Sequence, residues 1–157
     1  MDDKTLDTAG ASSRPAADPA PPGWRLLAFV YDAVPLLALL MIASGVLVAI
    51  NGGRTVEHAP ALAALEFVTF LAVCGAYFVA SWRRGGQTLG MRPWRLKLVA
   101  LDGRMATTRA LVLRYVVACA TPVLGWGWCL MDPQKRALCD LAAGTVLVRM
   151  RGGKDRG

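Results

Sequence analysis

The chain alternates between long apolar runs and short polar breaks. Residues 33–50, AVPLLALLMIASGVLVAI, hold 18 successive positions without a charge. Residues 67–82 add 16 more, and residues 59–65 extend that run backwards with only Glu66 interrupting. A helix needs about 20 mainly apolar residues to cross about 30 Å of hydrocarbon. A soluble helix would show a polar stripe every three or four residues, and neither run has one. The pattern therefore predicts two transmembrane helices, at about residues 24–50 and 59–82. Asn51-Gly52-Gly53 stops the first. Pro35 lies inside it, as membrane helices tolerate.

A third apolar region, about residues 109–131, is long enough to span, but Arg114 interrupts it and Pro122, Gly125 and Gly127 break its second half. It reads either as a third span or as a re-entrant hairpin bent at Thr121-Pro122. Two short segments follow the period of a strand. Arg95-Leu96-Lys97-Leu98-Val99 alternates polar with apolar before Asp102-Gly103, and Thr145-Val146-Leu147-Val148 is its counterpart near the C-terminus. Thr107 or Thr108 supplies the cap for the helix after the first of them. The fold class expected is an all-α integral membrane protein with a small cytoplasmic β pairing.

Residues 1–23 are rich in Ala, Pro, Asp and Ser and cannot bury enough apolar surface to order themselves, so a disordered tail is expected. A single membrane domain over residues 24–148 and a basic tail over 149–157 complete the chain. The first apolar run is longer than a cleavable signal core and is expected to be retained.

The formal net charge of +7 raises a nucleic-acid reading. The basic residues sit beside the apolar runs, however, with no aromatic-rich basic face, so nucleic acid is not an expected partner. Arg83, Arg84, Arg92, Arg95, Lys97, Arg104 and Arg109 stand against one acid, Asp102, after the second run, whereas the loop before that run has one Arg. The charge rule places the second loop, and with it the N-terminus, in the cytoplasm. Lys135, Arg136, Arg149, Arg151, Lys154 and Arg156 belong on the same side, which favours the hairpin over a third span.

Four cysteines, Cys74, Cys119, Cys129 and Cys139, form no CxxC pair and no zinc pattern, so no metal or cofactor is expected. His58 stands alone in a short loop, and Ser44 and Thr69 have no paired base. No catalytic residue and no enzyme activity are expected. Trp82, Trp94, Trp126 and Trp128 fit anchoring at the membrane interface. The glycine-rich segment 85–90 lacks the strand-to-helix setting of a phosphate loop.

Chemistry concentrates in the ionisable residues of the apolar segments. Arg25 sits at the membrane boundary and can snorkel to headgroups. Asp32, seven residues on and roughly on the same face, cannot reach the boundary so easily and needs a polar partner. Arg114 enters its own segment from the same side to a matching depth, so depth matching pairs Asp32 with Arg114. Glu66, about 10 Å from the outer end of the second helix, faces a polar cavity or is protonated. These charges either clasp the helices or relay an ion.

Several segments in order resemble the RDD family of membrane proteins, named for one arginine and two aspartates. Trp24-Arg25-Leu26-Leu27-Ala28-Phe29-Val30-Tyr31-Asp32 is similar to its opening, and Gly86-Gln87-Thr88-Leu89-Gly90-Met91 to its loop after the second helix. Leu98-Val99-Ala100-Leu101-Asp102-Gly103 followed by residues 109–115 looks like its next stretch. Residues 135–145 resemble the closing motif, which makes Asp140 the second aspartate. Cys139 stands where the family often has His, and Leu141 where it usually has a basic residue. The resemblance implies a bacterial inner-membrane protein engaged in small-solute or ion transport, with cation/proton exchange through an oligomer as the sharpest form. The alternative is a non-catalytic membrane partner or assembly factor for another membrane complex, set in the lipid bilayer as a homo-oligomer or beside a membrane protein partner.

Overall fold

A computed structural model describes residues 17–53, 60–122, 127–128 and 136–150. In chain order the elements are β1 (Ala17–Pro19), α1 (Pro22–Ile50), α2 (Pro60–Gly85), β2 (Leu96–Ala100), α3 (Thr108–Ala120), α4 (Leu138–Ala142) and β3 (Thr145–Met150). The protein is mostly helical, with a three-stranded antiparallel sheet ordered β1-β3-β2.

α1 opens on Pro22, whose missing N–H costs nothing in a first turn. It and α2 are long and apolar enough to cross a membrane, and of their most apolar windows only 6% and 0% is buried within the chain. That exposure separates them from the core helices of a soluble domain, which bury the same kind of residue. Val34, Met41 and Ile42 on α1, and Phe67 and Val68 on α2, all point outward. The helices run antiparallel: Asp32 meets Tyr77 near one end and Ser44 meets Glu66 towards the other.

The sheet lies at the end where α1 begins and α2 stops. β3 is its centre, with Leu98 opposite Leu147 on one side and Asp18 opposite Arg149 on the other. Alternation gives the sheet a buried face of Leu96, Leu98, Thr145 and Leu147. That face packs with Ala28 of α1, Trp82 of α2 and Leu111 of α3 into the principal core.

β1 corrects the expectation that all of residues 1–23 are disordered. β3 offers a free edge, and the backbone of residues 17–20 fills it, with the Ala20 N–H on the Leu147 carbonyl at 3.0 Å. The prolines around it suit an edge strand, which need not donate at every position. Residues 1–16 lie outside the described residues. β2 starts at Leu96, because Arg95 adopts a left-handed φ of 53°. The sheet also makes the fold more than all-α.

α3 is capped by Thr107, whose hydroxyl accepts from the Ala110 N–H at 3.4 Å. It ends at Ala120, beside the Thr121-Pro122 position where the hairpin reading bends the third apolar region, and residues 123–126 and 129–131 of that region lie outside the described residues. At 13 residues it reaches about 20 Å, less than a bilayer core. Thr121 ends it, with its hydroxyl folded back on the Val117 carbonyl. His58, Trp126 and Cys129 lie outside the described residues.

Candidate functional site

Two buried carboxylates organise the end of the molecule that carries the sheet. Asp140 is in the first turn of α4 and is completely buried. Its position three residues after the N-cap lets Oδ2 accept the Ala137 N–H at 3.0 Å, the return half of a capping box. The same oxygen takes Nη1 of Arg25 at 2.5 Å, and Oδ1 takes Nη1 of Arg114. Arg114 also donates to the Thr145 hydroxyl at 3.0 Å, and its guanidinium lies 5.3 Å from the centre of the Trp82 ring. Arg25 reaches back to the Ala20 carbonyl at 3.4 Å. Asp140 thereby joins α1, α3 and α4, with β3 attached through Thr145.

Asp32 has a separate cage. It is 2% exposed, which for a charged group demands hydrogen-bond donors. Oδ1 accepts the Tyr77 hydroxyl at 2.6 Å and the Gly90 N–H at 2.8 Å, and Oδ2 accepts the Thr88 hydroxyl at 2.5 Å. Asp32 is ten residues into α1 and Tyr77 eight residues before the end of α2, so both lie about 12–15 Å from the ends of their helices. The segment after α2 therefore doubles back alongside the helices to reach Asp32. Gly90 makes that approach possible: a Cβ there would collide with the Ala28 carbonyl and lie 2.8 Å from both the Asp32 backbone nitrogen and Cγ. Thr88, itself fully buried, also accepts the Met91 N–H at 3.3 Å, which shapes the turn.

These contacts correct the pairing expected from depth. Arg114 bonds Asp140, and Asp32 is held by hydroxyls and a backbone amide instead. Depth along a helix says nothing about which face a residue occupies, and Arg114 faces α4. Arg25 does not snorkel, because only 9% of its side chain is exposed. Trp82 and Trp94 are likewise drawn into packing: Trp82 lies under Arg114, and the Trp94 ring packs at a tilt with its centre 4.9 Å from that of Trp24. Trp128 is exposed. Glu66 is half-buried and accepts the Ser44 hydroxyl at 2.6 Å.

Sequence reasoning missed Tyr77, Thr88 and Gly90. The signal for the last two was a polar, glycine-containing turn directly after an apolar helix, in a chain with an acid needing donors. Among the described residues, no group of three or more His, Cys, Asp or Glu could hold a metal ion.

Two long lipid-type helices, with a buried Arg–Asp–Arg cluster at one end, define a membrane protein whose polar groups tie its segments together. A family model described as the RDD family matches residues 19–144, and the chain belongs to that family. An uncharacterized protein of Rickettsia prowazekii (strain Madrid E) is 33% identical over 86 residues, covering 54% of this chain and 49% of that protein. The match thus spans about half of that relative's length. No solved structure matches the chain.

Proposed function

We propose that this is a non-catalytic membrane component, which works by docking with another membrane protein or a second copy of itself and not by chemistry of its own. The observation that carries this reading is the state of the two buried carboxylates. Each accepts three donors from its own chain, Asp140 from Arg25, Arg114 and Ala137, and Asp32 from Tyr77, Thr88 and Gly90. A carboxylate offers about four lone-pair sites, so little capacity is left for a substrate or a moving ion. What is presented outward is a pair of apolar helix faces and a set of exposed arginines at 83, 84, 92, 95, 104 and 109. That combination suits a bilayer-embedded partner with an acidic surface.

In this reading the sheet and the arginines face the cytoplasm, in a bacterial inner membrane, as the distribution of Lys and Arg favours. The third apolar region enters and returns without crossing. Support comes from β3, which pairs with β1 before α1 and β2 after α2, and from α3, whose Arg114 and Tyr115 run antiparallel past Trp82 and Phe78 of α2.

A photo-activatable cross-linker at Arg92 or Arg95 in native membranes tests the docking role. The expected product is a specific adduct with a protein; adducts with lipid alone would contradict it. Cation/proton exchange through an oligomer is the second reading. Glu66 favours it, as a half-buried carboxylate on a lipid-type helix bonded to the neighbouring helix through Ser44.

A further inference from the structure

Three contacts fix the register of α2 against α3. Arg114 stacks on Trp82, the Tyr115 and Phe78 rings lie 6.3 Å apart, and the Tyr115 hydroxyl donates to the Leu71 carbonyl at 2.8 Å. The two helices therefore run antiparallel. Cys74 is one turn before Phe78 on α2, and Cys119 is one turn beyond Tyr115 on α3. Residues four apart share a helix face, so these opposite steps bring the two thiols to facing positions. Tyr115 lies beside both of them. The helices are close here as well: a Cβ at Gly75, next to Cys74, would lie 2.9 Å from Cε1 of Tyr115. Close approach matters, since a disulfide requires Cα atoms within about 4.4–6.8 Å.

We propose that Cys74 and Cys119 are a redox pair whose disulfide locks the C-terminal end of α3 to α2. Both thiols are free in this structure, Cys119 exposed and Cys74 half-buried. The oxidant class that reaches such a position is a lipid-soluble quinone. Two S–H bonds break and one Sγ–Sγ bond forms, while the two electrons and two protons pass to the quinone to give the hydroquinone. A dithiol reverses the step by exchange through a mixed disulfide. Cys139, on α4 near Arg114, takes no part.

The test uses the full-length protein in native membranes. It is treated with a short-chain quinone, alkylated with a maleimide and mapped by mass spectrometry. The expected result is joint loss of alkylation at Cys74 and Cys119 and a peptide cross-linked between them, both reversed by dithiothreitol. In Cys119→Ser, Cys74 should stay open to alkylation after the same treatment. Continued alkylation of both thiols in the oxidised wild type would overturn the proposal, as would a quinone adduct on one thiol or a disulfide from Cys119 to a different cysteine.

Discussion

Replacing Asp140 by alanine removes the acceptor on which the Arg25 and Arg114 guanidiniums and the Ala137 N–H converge. The Thr145 hydroxyl at 3.0 Å, the Ala20 carbonyl at 3.4 Å and the Trp82 ring at 5.3 Å stay near those cations. None of these carries a compensating charge. Breaking a buried ion pair from one side costs about 3–5 kcal/mol, mostly because a charge is left uncompensated. Arg25 and Arg114 both bond Asp140, so Asp140→Ala belongs within that range. Arg25→Met leaves Asp140 with Arg114 and the amide, and should cost about 1.5–3 kcal/mol, the range for one charge-assisted hydrogen bond. The assay is denaturant unfolding in mild-detergent micelles followed by tryptophan fluorescence, which Trp82 reports directly from beneath Arg114. Polar contacts between helices within the bilayer average only about 0.6 kcal/mol, because the unfolded segments find other partners there. A loss below about 1 kcal/mol for Asp140→Ala would therefore refute the claim that this cluster behaves as a desolvated ion triad.

Gly90→Ala should destabilise by about 1–3 kcal/mol or more in the same assay, because the added Cβ meets α1 backbone that cannot rotate away. Thr88→Val keeps the shape but removes a donor to Asp32, at about 1–3 kcal/mol, whereas Thr88→Ser should stay close to wild type. Equal stability of the valine and serine variants would argue against the cage. For topology, alkaline phosphatase fused after residue 157 should be inactive and a fluorescent protein there should fold; active phosphatase would place the C-terminus outside.

The two long helices were legible from unbroken apolar length, and β2 and β3 from a period of two. An uninterrupted apolar run of 18 residues has few soluble alternatives, and Leu96, Leu98 and Leu147 alternate as a half-buried strand must. The edge strand over Ala17–Pro19 was not legible, since its residues have no strand pattern and are ordered by the open edge of β3. The site divides in the same way. Arg25, Asp32 and Arg114 stood out as charges in apolar surroundings, which is a local property. Their partners are set by long-range packing: Asp140 is 115 residues from Arg25, and Thr88 is 56 from Asp32. Depth counting gave Arg114 the wrong carboxylate, because two acids lie within reach of that end of the fold and only the helix faces choose between them.

In the proposed reading the ionisable groups hold this fold together and carry no ion across it. Purified protein in liposomes loaded with a pH-sensitive dye, exposed to an imposed sodium or potassium gradient, tests it most directly. Wild type, Asp32→Asn and Glu66→Gln should all match empty liposomes. Cation-driven proton movement in the wild type that Glu66→Gln or Asp32→Asn abolishes would contradict the account.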